Sequence, residues 1–177
     1  MIKKFEKLDR EILRKSNILT YCVDTFKLPD GKIDKYDIML HNGAVAVIPV
    51  TDEGKLIMVR QYRPSFDRVT LEVPAGKRDG DEEFSTAAAR ELEEETGYRA
   101  ENLKHFFTID TAIAYCDEEI EVFIATGLKK TGQNLDPDEF IEIEEYDPDE
   151  LKDMVFKGEI RDSKTIACIM AYLAYLQ

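Results

Sequence analysis

The sequence is poor in the residues that build disulfide frameworks and zinc sites. It contains three cysteines and two histidines in 177 residues. Cys22, Cys116 and Cys168 are widely spaced, and no Cys-x-x-Cys pair or nearby histidine accompanies them. We therefore expect reduced thiols rather than a disulfide scaffold or zinc ligands. His41 and His105 are too isolated to indicate a histidine-based catalytic site.

Positive charge and long hydrophobic runs are also scarce. The chain carries 24 basic and 37 acidic residues, a formal net charge of −13 and a pI near 4.7. Nucleic acids and anionic membranes attract basic surfaces, so neither is expected to be the main partner. No apolar run is long enough to cross a bilayer, and the start, MIKKFEKLDREIL, lacks the apolar core of a signal peptide. These features predict a cytoplasmic protein.

Carboxylates are concentrated at residues 76–98, GKRDGDEEFSTAAARELEEETGY. The Ala-rich centre predicts a short helix that ends at a glycine. On such a helix Leu92 falls about 40° from Ala88, and the two help to define an apolar stripe. Glu95 projects into the middle of this stripe, and Glu91 lies at its edge, one turn earlier.

These carboxylates are expected to need a positive partner. Burying a carboxylate is costly unless a cation neutralises it, and Glu94 adds a third negative charge beside Glu91. Arg90, the basic residue of the predicted helix, is expected to point nearly the opposite way. A hard divalent cation suits oxygen ligands of this kind. The alternative is a solvated acidic helix, because Glu favours helices and such runs are common on surfaces.

The pattern as a whole favours a functional site. Gly76 is followed after five residues by Glu82, and after seven more by RELEEETG, residues 90–97. This arrangement resembles the signature sequence of the Nudix hydrolase superfamily. Tyr98 stands where an aliphatic residue is usual, a departure that we expect to affect packing more than chemistry. By this resemblance Arg90 and Glu82 brace the loop-helix-loop rather than contact the substrate.

The same resemblance implies a metal site. Glu91 and Glu95 would be metal ligands, and the carbonyl of Ala75 would be another. Glu94 would be a further or water-mediated ligand and is therefore counted among the catalytic residues. The implied cofactor is Mg²⁺, with Mn²⁺ as the alternative.

Two segments before the signature narrow the resemblance. VRQYRP at residues 59–64 and LEVPAG at residues 71–76 resemble the ADP-ribose pyrophosphatase branch. In this branch the arginine that matches Arg63 contacts the substrate, and the position of Glu72 contacts the substrate or orients that arginine. From the residues alone, Arg63 is equally an exposed strand-end charge, and Glu72 half of a cross-strand salt bridge. Residues 112–114, Ala-Ile-Ala, replace a turn that usually contains proline, which leaves the choice of substrate open.

A general base must come from outside the signature helix, because carboxylates that bind metal are poor proton acceptors. In the resembling branch a mobile loop ahead of a late strand supplies it. Residues 138–142, DEFIE, have this context, so Glu139 is the predicted base and Glu142 the second choice. The polar segment 129–140 is predicted to be a flexible loop that closes on the substrate. The alternative is a plain acidic turn before a strand.

The order of the elements predicts an α+β fold. Strands and helices interleave without a regular βαβ repeat, and no GxGxxG or GxxxxGK[ST] motif is present. Residues 44–50, AVAVIPV, predict a strand buried on both faces. Asp147 and Asp162 are predicted to cap two later helices. For residues 44–177 the resemblance implies a Nudix-type α/β/α sandwich with a mixed sheet.

Residues 1–43 are predicted to form an N-terminal arm and an antiparallel β-hairpin. Residues 18–26 are rich in β-branched and aromatic side chains, and LPDG at residues 28–31 is a turn signal. The stretch up to Arg14 lacks a clear period, so it is either an entry strand or a loose arm. The resemblance implies that this hairpin forms a homodimer interface and part of the nucleotide pocket.

The expected activity is metal-dependent hydrolysis of the pyrophosphate bond in a nucleoside diphosphate linked to another moiety. ADP-ribose, cleaved to AMP and ribose 5-phosphate, is the first choice of substrate. One alternative is another nucleoside diphosphate sugar, such as GDP-mannose. Another is a module that senses ADP-ribose without cleaving it, although sensors tend to lose the carboxylates that this sequence keeps.

Overall fold

A computed structural model describes residues 2–137 and 139–177, so Met1 and Asp138 lie outside the described part of the chain. The described residues form ten strands and three helices. The chain divides into two compact units. One comprises the residues up to Gly43 together with Asp110–Glu119, and the other comprises Ala44–Ile109 and Ile120–Gln177.

The first unit contains a three-stranded antiparallel sheet. Its strands, in the order β1-β2-β3, are β1 (Glu6–Lys15), β2 (Leu19–Lys27) and β3 (Ile33–His41). The β2–β3 hairpin agrees with the prediction, and of the two alternatives for the first residues the structure has the strand. Arg10 on β1 donates two hydrogen bonds of 2.6 Å to the buried carboxylate of Asp24 on β2. A charged strand therefore pairs stably with its neighbour.

The remaining elements build two sheets and three helices. The strands are β4 (Ala44–Pro49), β5 (Leu56–Arg63), β6 (Arg68–Glu72), β7 (Ala75–Lys77), β8 (Tyr98–Asp110), β9 (Glu119–Lys130) and β10 (Ile141–Tyr146). The helices are α1 (Phe84–Thr96), α2 (Pro148–Phe156) and α3 (Ser163–Tyr175). One sheet has the order β7-β4-β9-β8, in which β4 runs parallel to β9 and antiparallel to β7. The other has the antiparallel order β10-β5-β6. The predicted α+β class and mixed sheet are confirmed.

Strand β4 is apolar at every position because helices cover both of its faces. Ile48 belongs to a core cluster that also contains Ile169 of α3. Val47, which points to the opposite face, belongs to a second cluster with Leu92 of α1. All four side chains are fully buried. Burial of each such side chain stabilises the fold by roughly 1.5–3 kcal/mol, and the two clusters hold α1 in a fixed position against the sheet.

The helix ends follow the predicted capping signals. The side chain of Asp147 accepts a hydrogen bond of 2.9 Å from the backbone N–H of Asp149, and Pro148 occupies the first turn of α2. Asp162 caps α3 by accepting from Thr165 N at 3.0 Å. No helix in residues 2–137 and 139–177 is long and apolar enough to cross a membrane.

Candidate active site

The carboxylates of α1 pack against the backbone of strand β7. Glu95 is 2% exposed, and its Oε2 accepts a hydrogen bond of 2.9 Å from the backbone N–H of Ala75. Glu91, one turn earlier, is 8% exposed and lies against Gly76. The structure therefore brings together three of the predicted ligands: Ala75, Glu91 and Glu95.

Gly76 is required by this close approach. A Cβ atom at this position would lie 2.1 Å from the carboxyl carbon of Glu91 and 2.3 Å from each of its oxygens. Any larger residue would push the Glu91 carboxylate away from the strand. The glycine at the start of the signature thus makes room for a predicted ligand.

Both buried carboxylates are hard to ionise. Burial raises the pKa of Glu95 to about 8, against the Ala75 N–H, and the charges of Glu91 and Glu139 add to the rise. Burial also raises the pKa of Glu91, although Arg90 opposes it and Glu94 and Glu139 reinforce it. A cation at this position would lower both pKa values, because it favours the charged forms.

Arg90 turns toward the carboxylates, so the prediction that it points nearly the opposite way is wrong. Its Nη1 donates to Glu91 at 2.7 Å and to Glu94 at 2.9 Å. Its Nε and Nη2 donate to Glu82 at 3.3 and 3.1 Å, and Nη2 also donates to Lys77 O at 3.1 Å. The long, flexible side chain reverses the direction that the helical position alone suggested.

Arg90 thus joins the loop before α1 to the helix itself. The contacts with Glu82 and Lys77 O brace the loop-helix-loop, which is the arrangement expected for these residues. The contacts with Glu91 and Glu94 come from one end of the guanidinium alone. A cation that took these two carboxylates would replace only the Nη1 contacts and leave the brace in place.

The residues present fit a hard divalent cation by their chemistry. Glu95 is a buried carboxylate that accepts from a neutral backbone amide, and Glu91 and Glu94 offer further oxygens on the same helix. Such oxygens are the preferred ligands of Mg²⁺. In the described part of the chain, no group of three His, Cys, Asp or Glu side chains is already arranged to hold a metal ion.

Arg63 and Glu72 form a bidentate pair between strands β5 and β6, and the Arg63 charge also lowers the pKa of Glu95. Arg63 Nε and Nη2 donate to the two Glu72 oxygens at 2.8 and 2.7 Å. Glu72 is 2% exposed and also accepts from Thr70 Oγ1 at 2.6 Å and from Lys164 Nζ. Burial alone would raise the pKa of Glu72, but Arg63, Lys164 and Thr70 together hold it at about 2. The pair is a cross-strand salt bridge between β5 and β6, and it holds the Arg63 guanidinium in one direction. Contact of either residue with the substrate stays a prediction.

A cleft of about 500 Å³ lies beside this pair. The β5–β6 hairpin and the N-terminus of α3 form its walls. Its basic lining residues are Arg63, Arg68, Arg161 and Lys164, and its acidic ones are Glu72 and Asp162. On a chain with a net charge of −13, this cleft has an excess of positive side chains.

The sequence predicts a flexible loop at residues 129–140. In the structure the first part of this loop, after β9, is hydrogen-bonded to the C-terminus of α1. Thr131 N and Gly132 N donate to Gly97 O at 2.7 and 3.2 Å, and Asn134 N donates to Glu94 O at 3.1 Å. Gln133 Nε2 donates to Glu95 O at 2.7 Å. These donors satisfy carbonyls that every helix leaves unpaired at its end.

Glu139 lies farther along the same loop, next to Asp138, which is outside the described residues. Its charge acts on the pKa values of both Glu91 and Glu95, so it lies close to them. Its carboxylate accepts from Asp136 N at 3.1 Å. Glu142, the second choice for the base, is exposed on β10.

Two residues of this region were not predicted from the sequence. Lys164 stands two residues into α3, with nothing around it in the sequence to distinguish it from a solvated lysine. In the sequence, Gln133 is one of several polar residues of a loop. Glu72, which Lys164 contacts, and Glu95, whose carbonyl Gln133 contacts, are distant in the chain, so no local pattern could have revealed these two contacts.

Comparison with known proteins agrees with this geometry. Residues 40–167 match the sequence profile of the NUDIX domain. The chain belongs to the Nudix family. An ADP-ribose pyrophosphatase of Bacillus subtilis (strain 168) is 40% identical over 170 residues, which cover 95% of this chain and 90% of that protein. The chain is thus a Nudix pyrophosphatase.

Two further similarities help to define this Nudix protein. The methanol dehydrogenase activator of Bacillus methanolicus is 38% identical over 181 residues, covering 100% of this chain and 96% of the relative. A solved structure described as an ADP compounds hydrolase matches with a TM-score of 0.89, covering 99% of this chain and 96% of that one at 22% identity. This structural match confirms the fold. Nudix hydrolases generally use divalent metal ions, in keeping with the carboxylates of α1.

Proposed function

We propose that this Nudix protein hydrolyses the pyrophosphate bond of ADP-ribose and releases AMP and ribose 5-phosphate. The observation that carries the proposal is the buried carboxylate cluster of Glu91 and Glu95 against β7, with the oriented Arg63 in the same unit. A pyrophosphate spreads negative charge over several oxygens and repels a nucleophile. A site for this substrate must therefore supply positive charge, and these residues supply or attract it.

Glu91, Glu94, Glu95 and the carbonyl of Ala75 would hold the cation, with Mg²⁺ as the proposed ion and Mn²⁺ as the alternative. When bound, the ion neutralises the pyrophosphate charge and assists the attack of water. Arg63 would contact the phosphates or the terminal ribose, with Glu72 fixing its direction. The residues that would hold the cation are thus separate from Arg63, which would hold the substrate, and from Glu72, which would orient Arg63.

Glu139 is the proposed general base. It lies close enough to Glu91 and Glu95 to influence their pKa values, yet it is only partly buried and lies outside α1. A carboxylate that does not hold the cation is free to accept a proton. The loop is anchored at residues 131–134, so movement over a bound substrate would be confined to the residues that follow.

Two other functions remain as alternatives to ADP-ribose hydrolysis. Residues 112–114 depart from the proline-containing turn of the resembling branch, which favours testing other nucleoside diphosphate sugars such as GDP-mannose. A sensing module would bind ADP-ribose without cleaving it. We further propose that the protein is a cytoplasmic homodimer that associates through its N-terminal sheet.

A substrate panel tests the proposed activity. Purified protein would be incubated with ADP-ribose, GDP-mannose and other nucleoside diphosphate sugars, with Mg²⁺, with Mn²⁺ or with EDTA, and AMP or GMP would be measured. We expect ADP-ribose to give the highest kcat/KM and EDTA to abolish turnover. A higher kcat/KM for GDP-mannose would identify GDP-mannose as the preferred substrate. Tight binding of ADP-ribose without release of AMP would favour the sensing module.

Kinetics of two matched variants test the general base. Glu139→Gln should lower kcat by about 10²- to 10⁴-fold at saturating Mg²⁺ and substrate, with little change in metal affinity. Glu142→Gln serves as the control and should remain near wild type. The reverse result would transfer the role to Glu142.

A further inference from the structure

Lys164 is the most unusual charged residue outside the proposed catalytic machinery. Its side chain is 13% exposed, although lysine is rarely buried unless it is paired. It donates to Glu72 Oε2 and, at 2.8 Å, to Asp162 Oδ2. Two carboxylates therefore compensate the cost of burying one ammonium group.

The position of Lys164 is set by the way α3 begins. Asp162 Oδ2, which caps the helix, also accepts from Thr165 Oγ1 at 2.6 Å. Thr165 Oγ1 in turn accepts from the backbone N–H of Val73 at 3.0 Å, one residue beyond β6. The first turn of α3 is thereby attached to the end of the strand that carries Glu72, and Lys164 is held next to that carboxylate.

Glu72 thus lies between two cations. Arg63 uses Nε and Nη2 for Glu72, and in the described part of the chain its Nη1 makes no hydrogen bond. If Arg63 were the only partner, the Glu72 charge would cancel the attraction of Arg63 for an anion in the cleft. Lys164 offsets the Glu72 charge while it also pairs with Asp162, so these four side chains together are neutral. The net positive charge of the cleft comes from Arg68 and Arg161.

We propose that Lys164 is a positioning residue for substrate binding: it fixes Glu72 and offsets its charge, so that Arg63 remains oriented and attractive to a phosphate in the cleft. This inference rests on the proposed function, because it takes the ligand to be a nucleoside diphosphate derivative. Lys164 itself need not touch the substrate. Its effect is transmitted through Glu72 to Arg63.

The test compares Lys164→Met, Lys164→Arg, Arg63→Ala and the double variant Arg63→Ala/Lys164→Met. With ADP-ribose and Mg²⁺, Lys164→Met should raise KM about tenfold and change kcat less than about twofold, because substrate and transition state lose the same contact. Lys164→Arg should restore most of the KM. The double variant should have the KM of Arg63→Ala, because contacts in one network are not additive. Lys152→Met is the control, since Lys152 forms its ion pair with Asp149 within α2, and its KM should not change.

Other outcomes would overturn the proposal. They are a fall in kcat at constant KM, additive effects in the double variant, or failure of Lys164→Arg to restore KM. Thermal unfolding of each variant shows whether it is folded. If Lys164→Met is unfolded, Lys164→Gln replaces it, because glutamine keeps a hydrogen-bond donor but lacks the charge. Calorimetric binding of ADP gives a readout that needs no hydrolysis. If wild type fails to cleave ADP-ribose, the proposed function fails, and equal ADP affinity in wild type and the Lys164 variants would separately defeat the role of Lys164.

Discussion

At the residue scale, the site is defined by how each buried carboxylate is compensated. Glu72 is surrounded by Arg63, Lys164 and Thr70 and stays ionised. Glu95 is equally buried but receives one hydrogen bond from a neutral amide, at Ala75. The first arrangement is complete without a ligand, whereas in the second the effect of burial on the Glu95 pKa outweighs the positive charge of Arg63. A carboxylate that is buried without a cation destabilises the folded protein if it stays charged.

Replacement of Glu95 by glutamine tests this contrast. Glu95→Gln should abolish most Mg²⁺-supported turnover while the thermal midpoint in EDTA stays the same or rises, because glutamine is neutral at any pH and avoids the cost of ionising a buried carboxylate. Glu93→Gln, on the same helix and paired with Arg99, is the matched control and should keep its activity. Turnover near wild type in Glu95→Gln would contradict the assignment of Glu95 as a ligand.

Glu72 leads to a prediction about pH. Its folded-state pKa, about 2, lies below its ordinary value of 4.5, so its contribution to stability is present above pH 4.5 and is lost as the pH falls from 4.5 toward 2. The shift corresponds to roughly 3 kcal/mol. The difference in unfolding free energy between wild type and Glu72→Gln, measured by urea unfolding, should therefore shrink by about that amount across this interval. A difference that is constant with pH would show that the ion pairs leave the Glu72 pKa unchanged.

At the scale of the elements, the C-terminus of α1 is the point where the helix, its glycine and the following loop meet. Gly97 ends the helix with a φ of 70°. A Cβ atom at this position would lie 2.8 Å from the backbone of both Gly132 and Gln133. The glycine is therefore needed both for the left-handed conformation and for the approach of the loop that carries Glu139.

Two glycine variants separate these requirements. Gly97→Ala and Gly158→Ala both place alanine at a positive φ, which costs about 1–2 kcal/mol, but Gly158, at a φ of 75°, has no atom within 4 Å of the added Cβ. We expect Gly97→Ala to lose more unfolding free energy in urea and also to lower kcat, because the loop is displaced. Equal losses in the two variants would mean that the loop adapts without cost.

At the scale of the whole molecule, the N-terminal sheet and the residues next to it expose several large apolar side chains. The exposed side chains there are Phe5, Leu8, Ile12, Leu13, Ile18 and Ile33. Exposed apolar patches of this kind often mark interfaces, and a sheet offers the same surface to a second copy. The proposed homodimer would cover them.

Light scattering at micromolar concentration tests the dimer. Wild type should have the mass of two chains, and Leu8→Glu/Ile12→Glu should have the mass of one, because charges would enter the apolar interface. Phe156→Glu, at an even more exposed apolar residue on α2, is the control and should remain dimeric. A monomeric wild type would refute the proposal.

The sequence by itself determined the local features of this protein. The apolar run of β4, the length and glycine end of α1 and the caps at Asp147 and Asp162 follow from periodicity and from residue preferences that act within a few positions. The same periodicity placed Glu91 and Glu95 on the buried side of α1. The signature pattern also indicated the Nudix family and, through the family, the expected hydrolysis of a pyrophosphate bond.

Only the tertiary structure decided which distant groups compensate these charges. Lys164 reaches Glu72 across 92 positions of the chain, and Gln133 reaches the carbonyl of Glu95 across 38. Arg90 turned toward the carboxylates although its place on the helix predicted the opposite direction. Periodicity fixes where a Cβ points, but the end of a long side chain goes where burial and opposite charge favour it, and both depend on segments that only folding brings together.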